Sequence, residues 1–382
     1  MSDFIFKISP NIVLGSYTSS RVGQMAQEWG SKFLVILDPI LKESGTSAKL
    51  QQSLTDRKVN FFTYDEISSD SSSQTVENIL NLARKALIHG IIAVGGSKTL
   101  NIAKAVSTLY NETHDIYTFL DGQRYTVAPL PLICMPTTMR DCFVFTDKTP
   151  VIDARSSKVK LLKNQNGLCK LCIFDTNLMS TLTEKQISSM SIETLCIAVE
   201  AYLSQKASFF SDMIIEKSLE LLGYALDGAT SLTITTPPEL LLSQGGCMAS
   251  LGSASSSLGT AYLIAMCVNS RYKISTFLTT AILFPYVIED AAKFCASKLA
   301  KIARILKACT PEATEEEAVN SLTEYVRQHI AKANIPSRLK DLGLSIEQLS
   351  LSAEDAGDLE LINTLPRSMT SDDLFDLIKR AY

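Results

Sequence analysis

A strand-like run ending in Ala93-Val94-Gly95-Gly96-Ser97-Lys98-Thr99-Leu100-Asn101 places two glycines directly before a helix. Glycine lets the backbone come close to an anion, and the free amides and dipole of a helix N-terminus then point at it, so this turn suits a nucleotide phosphate. Lys98 adds a point charge beside it. The same residues also satisfy a plain tight strand-to-helix turn, and a Gly-Gly pair alone does not separate the two. Asp38 closes the run Phe33-Leu34-Val35-Ile36-Leu37. A carboxylate there accepts hydrogen bonds from ribose hydroxyls and repels a 2′-phosphate, which favours NAD over NADP. Its other reading is a turn former ahead of Pro39. Cys169 and Cys172 form the one C-x-x-C pair, beside the apolar run Leu171 to Phe174. With no second pair to complete a zinc site, they read as core cysteines.

The elements that must position these residues follow from hydrophobic patterning. Apolar runs at Lys32 to Leu37, Asn60 to Tyr64, Ile91 to Val94, Leu130 to Met135 and Leu171 to Phe174 predict parallel strands. Amphipathic stretches at Ser19 to Trp29, Gln74 to His89 and Lys98 to Tyr110 predict the helices that join them. The result is a doubly wound α/β layout, whose ligands sit beyond the carboxyl ends of the strands. Asp56 to Val59 and Ser68 to Gln74 read as exposed loops. After about Leu182 apolar residues recur at three- and four-residue spacing through Ile192 to Gln205, Met213 to Leu226, Pro238 to Leu258, Ala291 to Ala308 and Glu315 to Ala333. The expected organisation is therefore an α/β nucleotide-binding domain over 1–182 and an all-helical domain over 183–382.

Composition bounds the partners. The chain of 382 residues is 46% hydrophobic, enough for two cores of ordinary size. A net charge of -4 gives no cation excess to neutralise a phosphate backbone, so a small-molecule substrate is expected and nucleic acid is not. The start Met1-Ser2-Asp3-Phe4-Ile5-Phe6 lacks a basic flank and a long apolar run, and no stretch approaches the roughly 20 apolar residues of a membrane helix, so a cytoplasmic protein off the membrane is expected. Nine cysteines, an odd count scattered along the chain, read as reduced thiols.

Taken together, the segments "IIAVGGSKTLNIAKAVS" (Ile91 to Ser107), "PLICMPTT" (Pro131 to Thr138), "IFDTNLMSTLT" (Ile173 to Thr183), "ETLCIAVEAYLS" (Glu193 to Ser204) and "TTAILFPYVIE" (Thr279 to Glu289) resemble the iron-containing alcohol dehydrogenase family, within the group that includes glycerol dehydrogenase and dehydroquinate synthase. The likeness runs over nearly the whole chain. It implies an N-terminal dinucleotide-binding domain, a C-terminal helical domain and an active-site cleft between them. It also implies hydride transfer between NAD(P) and an alcohol or aldehyde, with a divalent metal polarising the substrate oxygen. Family members commonly assemble, so a homo-oligomer stays open, although no residue pattern fixes a subunit number.

The departures fall on the chemistry. Where the family has an Asp and a His four residues apart, then two His fourteen apart, this chain has Glu193 and Ile197, then Tyr262 and Thr276; a further family histidine is Met266. The three histidines present, His89, His114 and His329, lie far from these segments in sequence. Isoleucine cannot coordinate, and a carboxylate with two weak hydroxyls holds iron or zinc poorly, so no tightly bound divalent metal is expected. The family loop Pro-Thr-Thr-x-Gly-Thr-Gly-Ser-Glu matches Pro136-Thr137-Thr138 and then becomes Met139-Arg140-Asp141-Cys142-Phe143-Val144. Arg140 reads as a new substrate contact through its guanidinium or as half of a surface pair with Asp141. The glycine triplet of the family turn is Gly95-Gly96-Ser97, its downstream Asp is Asn101, and Lys98 resembles the glycerol dehydrogenase variant. Lys160 falls near a family lysine that approaches the nucleotide.

The resemblance thus implies an NAD(P)-dependent oxidoreductase acting on an alcohol, polyol or carbonyl. The dinucleotide would be held by Asp38, Gly95, Gly96, Ser97, Lys98, Thr137 and Thr138. Tyr262 or Lys160 would donate the proton, with Lys273 a candidate to activate Tyr262. Arg140, Glu193, Ile197, Met266 and Thr276 would line the substrate cleft. The alternative is a catalytically inactive relative that binds a nucleotide or sugar phosphate or serves as a partner subunit; lyase chemistry of the dehydroquinate synthase kind is a lesser reading. Tyr262 also reads as a buried structural phenol, Lys160 as a solvated lysine, and Glu193 as a helix-start acid after Ser191. The serine-rich run Ser250 to Ser257 has no Gly-x-Ser-x-Gly elbow and reads as a close helix-packing surface.

Overall fold

The computed structural model of the chain describes residues 10–68, 72–227 and 236–382. They fall into two compact units, one from residues 10–182 and one from residues 183–382. The first unit contains β1 (Asn11–Leu14), α1 (Val22–Ala26), β2 (Lys32–Leu37), α2 (Ile40–Glu43), α3 (Thr46–Asp56), β3 (Asn60–Tyr64), α4 (Ser73–Ala86), β4 (Gly90–Gly95), α5 (Ser97–Leu109), α6 (Ile116–Leu120), β5 (Leu132–Pro136), β6 (Lys148–Ile152), β7 (Val159–Lys163) and β8 (Leu171–Phe174). The second contains α7 (Glu184–Leu203), α8 (Phe209–Asp227), α9 (Pro238–Ser255), α10 (Thr260–Tyr272), α11 (Thr276–Ile305), α12 (Glu315–Lys332), α13 (Ile346–Gly357) and α14 (Ser371–Ala381).

Six strands form one parallel sheet in the order β1-β8-β5-β4-β2-β3. Its central strands are apolar at successive positions because a parallel sheet is covered on both faces. Phe33, Val35, Leu37, Ile92, Val94, Ile133, Met135 and Ile173 build one face with Val22 of α1 and Leu50 and Leu54 of α3. The alternate residues Leu34, Ile36, Ile91 and Ala93 are equally buried on the other face, and α5 packs on β4 and β5. The α/β reading of the first half holds, as does the helical reading of the second. The edge strand β1, the helix α3 and the antiparallel hairpin β6–β7 are additions. Each is short or half-exposed, so its apolar periodicity is weak. The expected Ser19 to Trp29 helix is a 3-10 turn (Thr18–Arg21) followed by the five-residue α1. The expected Ser68 to Gln74 loop lies partly outside the described residues, and Ser73 and Gln74 already belong to α4.

Asp175, just past β8, closes the carboxyl end of the sheet. Its side chain accepts the amides of Tyr17 and Ser19 at 2.9 Å each and the Ser19 hydroxyl at 2.5 Å, as well as the Asn177 amide at 3.0 Å. Burial pushes its pKa up, but these donors from Ser19 and Asn177 outweigh burial and hold the carboxyl below its ordinary value. Its contribution to stability is therefore present above the ordinary carboxylate range and is lost as pH falls through the depressed folded value. Asp175→Ala is expected to cost about 2 kcal/mol at neutral pH, with the difference from wild type shrinking in acid, measured by urea denaturation across pH.

The helical unit is punctuated by side-chain caps. Thr183 with Gln186, Thr314 with Glu317, Ser345 with Gln348 and Thr370 with Asp373 form reciprocal capping boxes at the starts of α7, α12, α13 and α14. Each satisfies amides that an uncapped helix start leaves bare. In the serine-rich run, a Cβ at Gly252 would collide with Ile215, so α9 lies close against α8 there. Among the described residues no single helix is long and apolar enough to cross a membrane; α9 and α10 reach that length only as a pair bent by 97°.

Candidate functional site

In the first unit the β2–β4 register pairs Leu37 with Val94, and the β4–β5 register pairs Gly95 with Pro136. The carboxyl ends of β2, β4 and β5 therefore carry Asp38, Gly95-Gly96 and Thr137-Thr138 side by side. Adjacent backbones are tied there: the Asp38 amide donates to the Val94 carbonyl at 2.9 Å, and the Thr137 amide donates to the Gly95 carbonyl at 3.0 Å. This is where open parallel sheets bind ligands.

The two glycines do different things. Gly95 is buried, and a Cβ on it would lie 2.7 Å from the Thr99 Cβ, so it permits the close approach of α5 to the strand. Gly96 is the N-cap of α5, extended at φ -74° and ψ 177°, with no side-chain cap and nothing within 4 Å of where its Cβ would be. The first amides of α5 thus border open space, as an anion seat at a helix N-terminus requires. Ser97 and Lys98 occupy the first turn. Asp38 is half-buried, and its Oδ1 accepts the Ile40 amide at 3.4 Å, part of the turn-forming role read beside its ribose role.

Arg140, read as a surface partner of Asp141 or a substrate contact, is buried, and so is Asp141. The surface pair is therefore corrected. The Arg140 Nη1 donates to the Ser97 hydroxyl at 3.2 Å, which puts a fixed cation against the first residue of α5. Asp141 Oδ1 accepts the amides of Phe143 at 3.0 Å and Val144 at 2.8 Å, shaping the loop that replaces the family's glycines. The Thr138 hydroxyl donates to the Arg140 carbonyl at 2.7 Å.

Sequence reasoning passed over Lys104. It is buried on α5 and donates to the carbonyls of Phe143 at 2.7 Å and Lys148 at 2.9 Å, and also to that of Thr146. Burial pulls its pKa below the ordinary lysine value. It fastens the 140–148 loop to the helix that starts at the Gly95-Gly96 turn. A lysine inside the apolar helix run Leu100 to Leu109 is the signal that could have found it.

Lys160 has defined partners. On β7 its ammonium meets Asp121 at 3.1 Å and Asp153 at 3.3 Å, and Arg155 pairs with the same two carboxylates. The bonds from Arg155 and then Lys160 hold the Asp121 carboxyl below its ordinary value. A lysine held between two acids ties the hairpin to α6, in place of the unpartnered solvated lysine read from sequence.

In the second unit Glu193 and Ile197 lie one turn apart on α7, Tyr262 and Met266 one turn apart on α10, and Thr276 opens α11. The three helices pack on one another. Glu193, Ile197, Tyr262 and Met266 are buried, and Thr276 is half-buried. Glu193 is mid-helix, because Thr183 starts α7 ten residues earlier, so the helix-start reading is corrected. Lys273 caps the far end of α10 from Tyr262 and donates to the Ser270 carbonyl at 3.1 Å; ten residues of helix lie between it and the phenol it was read to activate, which corrects that reading.

Glu200, one further turn along the Glu193–Ile197 face, is the residue that sequence reading missed here. It is buried, and its carboxylate accepts the amides of Ala261 at 2.7 Å and Tyr262 at 3.4 Å. The N-cap of α10 is Gly259, which has no side chain to do this, and a Cβ there would collide with Glu200. Burial raises the Glu200 pKa to about 7 against the opposing pull of those amides. The signal was a lone carboxylate in the apolar run Leu195 to Leu203.

This donor set does not fit a catalytic metal. Ile197 offers no lone pair, and among the described residues no three His, Cys, Asp or Glu side chains are grouped to hold an ion. The histidines are engaged elsewhere: His89 Nδ1 accepts the Ser31 amide at 3.2 Å, and His329 pairs with Asp227 at 3.2 Å. His114 is exposed beside Thr113. All nine cysteines are free thiols, and Cys169 and Cys172 are buried.

Comparison with known proteins gives the relatives. The chain is 26% identical to the probable alcohol dehydrogenase EutG of Escherichia coli (strain K12) over 98% of this chain and 94% of that protein. Its fold superposes on the crystal structure of a 1,3-propanediol oxidoreductase with a TM-score of 0.91 and 20% identity, covering 99% of this chain and all of that one. It also superposes on sulfoacetaldehyde reductase from Bifidobacterium kashiwanohense, solved in complex with NAD+, with a TM-score of 0.86 and 15% identity over 100% and 99% of the two chains. At these identities the structural likeness speaks to fold alone. Residues 9–176 match the model of the iron-containing alcohol dehydrogenases, and residues 187–382 match that of the C-terminal part of the same family. The chain therefore belongs to the iron-containing alcohol dehydrogenase family of oxidoreductases.

Proposed function

We propose that this protein is an NAD(P)-dependent oxidoreductase that interconverts an alcohol or polyol with its carbonyl compound and works without a tightly bound metal. The observation that carries the reading is the open N-terminus of α5. Gly96 leaves its amides uncovered, Ser97 and Lys98 stand in its first turn, and the buried Arg140 guanidinium lies 3.2 Å from Ser97. That is a seat for a pyrophosphate. Asp38, Thr137 and Thr138 on the neighbouring strand ends would hold the rest of the dinucleotide. The Asp38 carboxylate favours NAD over NADP, because a 2′-phosphate would bring a second anion against it.

When bound, the dinucleotide supplies the hydride to the carbonyl carbon and accepts it back from the alcohol. The protein's part is to deliver the balancing proton to the carbonyl oxygen. We assign that to the Tyr262 hydroxyl, reprotonated from solvent after each turnover, in preference to Lys160, whose ammonium is engaged by Asp121 and Asp153. Glu200 fixes the helix turn that carries Tyr262. Arg140, Glu193, Ile197, Met266 and Thr276 are the residues we assign to the substrate.

A second reading has its own support: the ligand positions hold Ile197 and Met266, and the loop glycines are replaced by Arg140 and Cys142. On that reading the chain binds a nucleotide and catalyses nothing. One set of measurements separates the two. Calorimetric titration with NAD, NADH and NADPH should show NADH binding, with NADPH weaker and Arg140→Gly weakening NADH about tenfold (~1.4 kcal/mol). Reduction of an aldehyde panel should survive chelator and be lost in Tyr262→Phe while NADH still binds. No heat with millimolar NADH removes both readings. Binding without turnover leaves the second, and stoichiometric iron or zinc whose removal abolishes turnover overturns the metal-free mechanism.

A further inference from the structure

Away from the residues assigned to the reaction, a cavity of about 480 Å³ opens in the helical unit between α11, α12 and residues 335–338. That volume is in the range of small-ligand sites. Its floor is apolar, made by Ile282 and Pro285 of α11, Ile330 of α12, and Ile335. All four are buried. Its rim is cationic, with Arg327 and Arg338 among the lining residues.

The charges there do not balance. Glu289 bridges two guanidiniums, taking Arg327 on one oxygen and Arg380 on the other at 2.6 Å each. Arg338 donates to the Arg380 carbonyl at 2.9 Å and has no carboxylate partner among the described residues. Arg338 and Arg380 each lie 5.9 Å from the centre of the Tyr286 ring, which also lines the cavity. Glu289 is thus shared by Arg327 and Arg380, and Arg338 stands beside them without a carboxylate of its own among the described residues, next to an apolar floor that water solvates poorly. An anion supplies the missing charge, and a planar carboxylate matches the guanidinium fork. A hydrocarbon tail covers the isoleucines and the proline.

We propose that this cavity binds an amphipathic carboxylate of the fatty-acid kind, its head paired with Arg338 and its tail on Ile282, Pro285, Ile330 and Ile335. The site is independent of the reaction assigned above. It is tested by titrating the full-length protein with octanoate in a calorimeter, beside octanol, at low and high salt. Two variants separate head from tail. Arg338→Gln removes the exposed cation, and Ala331→Trp, at an exposed lining position, fills the space without deleting a core side chain. The expected result is saturable octanoate binding that weakens with salt, falls at least about tenfold for octanol and for Arg338→Gln, is lost in Ala331→Trp, and is indifferent to NADH. The absence of saturable binding, equal binding of octanol and octanoate, an unchanged affinity in Arg338→Gln, or displacement of octanoate by NADH would each overturn the proposal.

Discussion

Gly96→Asp is expected to stabilise the free protein and to abolish dinucleotide binding. The position is the N-cap of α5, extended, uncapped, and with nothing within 4 Å of a new Cβ. Aspartate is a better cap than glycine by a few tenths of a kcal/mol, and its charge complements the helix dipole, so the gain in stability is ~0.5 kcal/mol. The same carboxylate occupies the space proposed for the pyrophosphate. Two like charges 4 Å apart near a protein surface repel by about 4 kcal/mol, so NADH affinity should fall by at least about 100-fold. The opposite signs are what make the test specific, because general damage to the fold would lower both quantities. Thermal melting and calorimetry on one preparation measure the two. A variant that melts higher and still binds NADH like wild type would show that this turn is not the seat.

Glu200→Gln is expected to remove a pH dependence of stability. Burial moves the wild-type carboxyl from its ordinary 4.5 to about 7 in the folded protein, against the amides of Ala261, Tyr262 and Thr260. Between those two values the unfolded chain has released a proton that the folded protein keeps. Stability from this group is therefore full below about pH 4.5, falls as pH rises, and is gone above about pH 7. The span corresponds to ~3 kcal/mol. Glutamine keeps an acceptor for the α10 amides and cannot ionise, so the difference in unfolding free energy between the variant and wild type should move by that amount from pH 5 to pH 8 in its favour. Glu200→Ala should instead be destabilised at every pH, because it leaves the first amides of α10 buried and bare. A wild-type minus Gln difference that stays flat with pH would show that Glu200 does not titrate in this range.

Much of this molecule was legible before folding. The strands at Lys32 to Leu37 and Leu171 to Phe174 were readable because a parallel sheet covered on both faces demands unbroken apolar runs. The glycine turn between β4 and α5 was readable because its glycines, strand and helix are adjacent in sequence. The ordered segments shared with the family set Glu193, Ile197, Tyr262 and Thr276 against the family's ligand positions, and Ile197 offers no lone pair there. Other parts were out of reach. The hairpin β6–β7 is short and half-exposed, so its alternation is faint. Lys160 looked solvated until Asp121, 39 residues away, was brought beside it.

The sequence by itself determined the layers of the fold, the glycine turn between β4 and α5 and the residue types set against the family's ligand positions, since these depend on residue type and on neighbours within a turn or a strand. Only the tertiary structure decided how buried charges are used. It set Arg140 against Ser97 across 43 residues, sent Lys104 to carbonyls as many as 44 residues ahead, and put Glu200 under a helix start 61 residues away. A charge taken out of water must find a partner, and the partner's place along the chain leaves no local periodicity to read.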